Sequence, residues 1–449
     1  YNTDDSIFAL ATAWAKSAIA VVRVSGEGCI RTLSGAIKSK ADINGLPSNT
    51  AHYCRLFSPG DNRPVDDIVL TVYRDGHGYT GEEAFEISCH GGLQTVKSVL
   101  ETMAALGFRQ ALPGEFTLRA FLHGKMDLTK AEAVEELINA QGRAGQMMAL
   151  SRLNGSLFKR INQIKAIIVE IMSIIEVQLD YSEDEIGEEL SFPSEKLDAA
   201  IKALSLIRES YRAGRLYSQG ARLVLAGPSN AGKSSLFNYF LKEERSIVSP
   251  QKGTTRDFIE ASCVIGGIPV RLYDTAGFRN GSESEIEKEG IRRSKNLVDG
   301  ADLIIYLVDS SEVSEIEQDT VSDPRCIPVL NKIDLADENS TALPDFLRLS
   351  VATGFGFDTL CEKITEKLTA DVPVSNDGDL VIENDRQREN LSRALEALNA
   401  AKLAVENGLP PDIVSLDIRE ALEALGELTG EVTTDDILDK IFSSFCVGK

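Results

Sequence analysis

The sequence has no stretch of about 18 consecutive apolar residues, so it offers no membrane-spanning helix. It also lacks any C-x-x-C pair. Its seven cysteines stand singly at positions 29, 54, 89, 263, 326, 361 and 446, odd in number and scattered. That pattern argues against a disulfide framework or a zinc-thiolate site and fits reduced thiols in a cytoplasmic setting. The four histidines are equally dispersed. No basic, apolar leader follows Tyr1. Positive charge is scarce: 47 Lys and Arg stand against 69 Asp and Glu, a net charge of −22. Such a surface gives no general long-range attraction for nucleic acid, so RNA has to be met locally or held by a partner. There is no internal repeat or low-complexity stretch. What remains is a chain of 449 residues, 43% hydrophobic, long enough for two or three domains.

The strongest signal is Gly227-Pro-Ser-Asn-Ala-Gly-Lys233-Ser234, which fits G-x-x-x-x-G-K-[ST]. Leu223-Val-Leu-Ala226 leads in as a buried strand, and Ser235-Leu-Phe-Asn-Tyr-Phe240 leads out as a helix. Backbone N–H groups from Asn230, Ala231, Gly232, Lys233, Ser234 and Ser235 would wrap phosphates at the helix N-terminus, where unpaired donors and the dipole favour anions. Lys233 would reach the β- and γ-phosphates, and Ser234 would place its hydroxyl on magnesium.

Spacing downstream selects guanine. Asp274-Thr275-Ala276-Gly277 follows the strand-like Val270-Arg-Leu-Tyr273. Asp274 would hold magnesium through water and the Gly277 amide would face the γ-phosphate. A buried strand, Asp302-Leu-Ile-Ile-Tyr-Leu-Val308, comes next. Cys326-Ile-Pro-Val-Leu330 then runs into Asn331-Lys332-Ile333-Asp334. The Asp334 carboxylate can accept two parallel bonds from guanine N1–H and its exocyclic amine, a donor pair adenine lacks. Asn331 would tether the loops and the Lys332 stem would cover the base. Ser350-Val351-Ala352 follows a fourth strand, Phe346-Leu-Arg-Leu349, and its backbone would lie near the guanine oxygen. This ordered series resembles the translation-factor-related GTPases, with Val351 where they usually carry Ala. Between loop and Asp274 stands Gly253-Thr254-Thr255-Arg256-Asp257, where a threonine commonly closes the magnesium shell. Thr255 is assigned to the metal and Thr254 to the loop beside it.

The position after Gly277, where many GTPases carry a water-orienting Gln, is Phe278. Asn230 offers a carbonyl to a monovalent cation, and backbone oxygens of Ile247-Val-Ser-Pro-Gln-Lys-Gly-Thr254 could wrap it. Bound potassium would then replace an arginine finger. The alternative for Asn230 is a loop-bracing amide. Glu287 could orient the attacking water through a second water, or be a solvated acid at a helix start.

Residues 1–122 alternate short strands, such as Ile19-Ala-Val-Val-Arg-Val24 and Ala84-Phe-Glu-Ile-Ser88, with helical stretches and turns such as Ser58-Pro-Gly-Asp61. From Leu128 helical periodicity takes over, with Thr129-x-x-Glu132 as a capping box. Helices are expected over 157–179 and 194–216, around an acidic break at 180–189. They resume from Asp385, stop at Gly408-Leu-Pro-Pro411 and near Gly430, and restart at Thr434-Asp-Asp436. The expected fold is multidomain. It has an α+β N-terminal domain at 1–122, an all-α bundle from segments 123–216 and 374–449, and an inserted α/β P-loop GTPase domain at 217–373.

Nearly the whole chain resembles the tRNA modification GTPase MnmE (TrmE) family. The blocks that carry this are Tyr79-Thr-Gly-Glu-Glu-Ala-Phe-Glu-Ile-Ser-Cys-His-Gly-Gly92, Pro113-Gly-Glu-Phe-Thr117 with Arg119-Ala-Phe-Leu122, and Gly124-Lys-Met-Asp-Leu128. Two more are Leu179-Asp-Tyr-Ser-Glu-Asp-Glu-Ile186 and Ile441-Phe-Ser-Ser-Phe-Cys-Val-Gly-Lys449. The resemblance implies a homodimer through the N-terminal domain, which would bind a 5-formyltetrahydrofolate-type donor. It implies a flavoprotein partner, MnmG (GidA), and a carboxymethylaminomethyl-type group placed on C5 of the tRNA wobble uridine. It also implies a potassium-stimulated GTPase, with tRNA held largely by the complex. By position the folate contacts fall on Arg23, Glu86, Lys125 and Lys449, each otherwise an ordinary surface charge. The potassium ligands fall on Asn230, Ser249, Gln251 and Thr254, with Ser249 usually Thr. Choosing Glu287 among neighbouring acids also rests on the resemblance. Where the family often has a Pro/Gly-rich loop, residues 12–18 carry neither residue. Cys446 reads either as a thiol for one-carbon chemistry or as a small residue packed where the tail enters. The rival function is a GTP-dependent assembly switch, which would usually append a basic RNA-binding face.

Overall fold

The computed structural model describes the chain except residues 1–2, 40–41, 75, 181–191, 244–258, 275–296, 312–315, 336–342, 344 and 371–380. The chain divides into two compact units. One is Tyr1–Glu135 with Leu153–Asn162 and Leu422–Lys449; the other is Glu136–Arg152 with Gln163–Ala421.

The first unit is built on seven strands: β1 (Ile7–Leu10), β2 (Ile19–Ser25), β3 (Ile37–Lys38), β4 (Thr50–Phe57), β5 (Pro64–Tyr73), β6 (Ala84–His90) and β7 (Arg109–Gln110). They lie in the order β3-β4-β5-β6-β2-β1-β7. The pairs are antiparallel except β1 with β7. Ser58-Pro-Gly-Asp61 turns the β4–β5 hairpin, with the Ser58 amide on the Arg63 carbonyl at 2.9 Å. Alternation in β2, β5 and β6 puts Val22, Val24, Leu70, Val72 and Ile87 on one face. That face buries against Ile30 and Leu33 of the helix Cys29–Ser34 and Val96, Val99 and Met103 of the helix Leu93–Ala105. The same pleat puts Arg23 and Glu86 on the other face, directly opposed across β2 and β6.

The helix Leu128–Asn139 departs from the expected cap. Thr129 lies inside the helix, fully buried, and Asp127 caps it instead. Its carboxylate accepts the Lys130 amide at 3.1 Å and the Thr129 hydroxyl. Asp127 precedes the first helical residue, where a short side chain reaches free N–H groups; Thr129 is two positions too late. The helix Asp435–Phe442 begins after Thr434 as expected, with Asp435 and Asp436 in its first turn.

The Pro113 block is where the C-terminal tail docks. Pro113 bridges to Val447 in antiparallel fashion. Gly114 has φ of 66°, and a Cβ there would stand 2.5 Å from the Phe442 carbonyl oxygen. Beneath it, fully buried Arg119 pairs with Glu115 at 3.1 Å, Asp5 at 3.0 Å and Glu82 at 3.3 Å. Arg109 adds a bond to Asp5 at 2.6 Å. Several residues that mark the family therefore hold the unit together.

The second unit has β8 (Ala221–Ala226), β9 (Ile259–Ile265), β10 (Ile268–Asp274), β11 (Leu303–Asp309), β12 (Cys326–Asn331) and β13 (Leu347–Arg348). The order is β13-β12-β11-β8-β10-β9, parallel except for β9. Leu223 and Leu225 face Leu236 and Phe240, while Val224 and Ala226, beside Ile304 and Tyr306, belong to a cluster packed by Val298 and Val321 on the other face. Both faces are covered, so these strands read as continuous apolar runs. The last strand is shorter than the expected 346–349.

The expected helix over 194–216 is two helices, Ser194–Glu209 and Tyr211–Gln219. Ser210 makes the break: its hydroxyl donates to the Ile207 carbonyl at 2.5 Å and accepts the Ile382 amide at 3.2 Å. The helix Ser194–Glu209 packs on Asp385–Glu406. Helices from both sides of the nucleotide sheet in sequence thus form one body, as an insertion requires. Buried Arg152 closes a second seam, between the helix Leu128–Asn139 and the segment before Asp385, pairing with Glu136 at 2.7 Å, with Glu383, and with the Val381 carbonyl.

Candidate functional site

In the second unit the strand order reverses at β8, with β10 on one side and β11 on the other. Loops after such strands open on the crevice where α/β sheets bind ligands. The glycine-rich loop leaves β8 there and enters the helix Lys233–Glu243. Gly227 has φ of 125°, and a Cβ on it would lie 2.1 Å from the Leu307 carbonyl oxygen. Gly232 has φ of 97°, and its Cβ would meet the Asn331 amide nitrogen at 2.2 Å. Both positions require glycine. Lys233 is buried, its ammonium donating to the Gly227 and Pro228 carbonyls at 2.8 and 2.6 Å. The Ser234 hydroxyl donates to Asp274 at 2.7 Å. A hydroxyl and a carboxylate brought together form an oxygen donor set suited to magnesium.

The loop after β12 carries the residues expected to meet the base. Buried Asn331 donates to the Ala231 carbonyl at 2.8 Å and accepts the Val351 amide at 3.2 Å. One side chain thus ties the phosphate loop to the last recognition loop. The Ser350 hydroxyl donates to Asp334 at 2.5 Å, leaving the second carboxylate oxygen of Asp334 out of that bond. Lys332 has φ of 62° and pairs with Asp309 at 2.6 Å. Asn230, also left-handed with φ of 65°, is exposed on the phosphate loop. Ser235 and Ala352 are exposed beside these groups. Ser249, Gln251, Thr254, Thr255, Thr275, Ala276, Gly277, Phe278 and Glu287 lie outside the described residues.

In the first unit the open sheet face brings three of the four folate-type positions together. Arg23 and Glu86 pair at 2.8 Å, both partly buried. Arg23 also donates to the Gly448 carbonyl at 3.4 Å, which brings the tail to the pair. Its guanidinium lies 5.3 Å from the Tyr79 ring centroid and 5.8 Å from that of Phe116. Burial, then the Arg23 charge, holds the Lys449 ammonium below the usual lysine range. Lys125 is held differently, donating to the Gly76 carbonyl at 2.9 Å. The Cys446 thiol is exposed, so it is not a small residue packed where the tail enters. Among the described residues no cluster of three or more His, Cys, Asp or Glu could hold a metal ion. No helix among them is long and apolar enough to cross a membrane.

Sequence reasoning missed Tyr79 and Phe116 as flanks of Arg23, and Asp309 as the partner of Lys332. Asp309 left a trace, an acid ending the apolar run of β11. The aromatics left none, because an alternating strand domain has many such rings with core roles.

The tRNA modification GTPase MnmE of Treponema denticola is 38% identical over 468 residues, spanning 100% of this chain and 99% of the relative. The protein of that name from Aquifex aeolicus is 37% identical, spanning 99% of this chain and 100% of the relative. Among solved structures, the G domain of the T. maritima FeoB iron transporter aligns at 28% identity, with a TM-score of 0.26, over 33% of this chain and 98% of its own. The sheet order, the glycine-rich loop and the Asn331 tether define a P-loop GTPase. A family profile described as the MnmE helical domain matches residues 128–446, and one described as the GTP-binding protein TrmE N-terminus matches 6–125. The chain belongs to the tRNA modification GTPase MnmE family.

Proposed function

We propose that this protein hydrolyses GTP in the modification of the tRNA wobble uridine. With a flavoprotein partner, MnmG (GidA), it adds a carboxymethylaminomethyl-type group to C5 from a 5-formyltetrahydrofolate-type donor. It works as a cytoplasmic homodimer, with domain limits at 1–122, 123–216, 217–373 and 374–449. The observation that supports this reading most is the double tether of Asn331, which sets the Asp334 loop against the phosphate loop. A base bound between them would meet a carboxylate suited to guanine.

On this reading Lys233 leaves the loop carbonyls for the β- and γ-phosphates. Ser234 would hold magnesium, Asp274 would act on it through water, and Thr255 would complete the set. The ion, once bound, would supply neutralising charge to the transferring phosphoryl group. Asn230 with Ser249, Gln251 and Thr254 would hold potassium, and Glu287 would orient water. In the first unit the Tyr79 and Phe116 rings beside a half-buried ion pair suit a flat, charged donor. Glu86 would accept from the pterin amide and amine edge, with Arg23 and Lys449 beside it at the same end of the donor. Lys125 would join by exchanging its Gly76 carbonyl for the donor.

The nucleotide half is tested by Asp334→Asn. GTP binding weakens and xanthosine triphosphate binding improves, because an amide can donate to the xanthine 2-oxo group. Equal GTP affinity in both proteins contradicts the assignment. Calorimetry with 5-formyltetrahydrofolate tests the other half, where absence of binding by the intact protein points to residues 12–18.

A further inference from the structure

Lys332 sits in the guanine loop with φ of 62°, a conformation a long side chain holds at a cost of about 1–2 kcal/mol. Something must keep it there without ligand. Three consecutive residues at the end of β11 do so. The Ser310 amide donates to the Asn331 carbonyl at 2.9 Å. The Ser310 hydroxyl donates to the Lys332 carbonyl at 2.8 Å. Both carbonyls flanking the strained residue are therefore held by one serine. The Lys332 ammonium is drawn to Asp309 at 2.6 Å, tying the two ends of its side chain to one bracket. Asp309 is fixed in turn: its other oxygen accepts the Ser311 amide at 2.9 Å and the Ser311 hydroxyl at 2.7 Å. Ser310 is buried and Asp309 mostly so, hence solvent competes weakly for these bonds.

We infer that Asp309 and Ser310 are positioning residues for guanine nucleotides, holding the Asn331–Lys332 peptide ready before the base arrives. The inference rests on the nucleotide site proposed above. A base-side bracket serves GTP and GDP alike, because both present the same guanine. It has no part in phosphoryl transfer. Pre-ordering a loop raises affinity by removing an ordering cost from binding.

The test is nucleotide kinetics on the full-length protein. Asp309→Asn keeps the shape and removes the charge; Ser310→Ala removes the hydroxyl. In each, GDP release should quicken by about tenfold, and KM for GTP should rise by a similar factor, the size expected for one lost charge-assisted or buried bond. kcat and the ratio of GTP to GDP affinity should not change. Lys332→Met should show the same defect, and adding Asp309→Asn to it should cost little more, since both act through one bond. Wild-type release rates and KM in folded Asp309→Asn and Ser310→Ala proteins would overturn the bracket and leave the nucleotide site standing. So would a fall in kcat at constant KM. A wild-type protein that binds no guanine nucleotide would overturn both.

Discussion

Lys449 carries its charge where charge is unfavourable. Burial lowers its proton affinity first, and the Arg23 guanidinium adds to this, against partial compensation from Glu86. A lysine whose folded value lies below its unfolded 10.5 costs stability while charged, and the cost fades as pH rises through the folded value. At neutral pH the group is therefore a candidate for function. Lys449→Met should leave the melting temperature of the protein unchanged or raise it, yet weaken binding of the folate-type donor by about tenfold. Calorimetry and thermal unfolding on the same sample check this. A lower melting temperature with unchanged donor affinity would make Lys449 a structural clasp. Single residues were unevenly legible in the sequence. Lys233 and Asn331 stand in motifs whose spacing names their chemistry. Arg23, Glu86 and Lys449 do not; they lie far apart along the chain, and only the resemblance joined them. Strand pairing explains two of them, since Arg23 opposes Glu86 across β2 and β6. The docked tail explains the third.

At the scale of elements, the phosphate loop and the seam at Arg152 make separate demands. Gly232→Ala would drive a methyl into the Asn331 amide at 2.2 Å and strain a left-handed backbone. The tether to Ala231 should break, and GTP binding should fall by about a hundredfold or more, a loss of some 3 kcal/mol. Equilibrium binding of a fluorescent GTP analogue checks it; near-wild-type affinity would mean that the tether is dispensable. At the seam, Arg152→Met leaves Glu136 and Glu383 buried without their common partner. Removing one side of a buried charge network costs about 3–5 kcal/mol. Denaturant unfolding should show that loss, while Arg393→Met, on the exposed pair with Glu420, should cost little. The elements themselves were largely legible. Runs such as Leu303–Asp309 are apolar on both faces, which is what a covered parallel strand requires. The break at Ser210 was not, because the amide its hydroxyl accepts lies 172 residues further along. Nor was the cap at Asp127: Thr129-x-x-Glu132 has the right letters two positions too late.

For the whole molecule, a strongly acidic chain has to combine a nucleotide site with a tRNA-directed role. Phe278 removes the side chain that orients water in many GTPases, so the cation proposed at Asn230 bears on turnover of the intact protein. GTP hydrolysis should rise several-fold or more in potassium over sodium at equal ionic strength. Asn230→Ala should remove most of that difference; identical rates in the two salts would make Asn230 a loop brace. Its exposed, left-handed place on the phosphate loop suits either role, which is why residue chemistry alone left both open. The most direct measurement is mass spectrometry of nucleosides from bulk tRNA of cells that lack this protein, complemented with wild type or Asp334→Asn. Loss of the C5-modified wobble uridine in the deletion, its return with wild type, and its failure to return with Asp334→Asn are the expected results. Unchanged wobble-uridine modification in the deletion would contradict a role in tRNA modification and favour a GTP-dependent assembly switch.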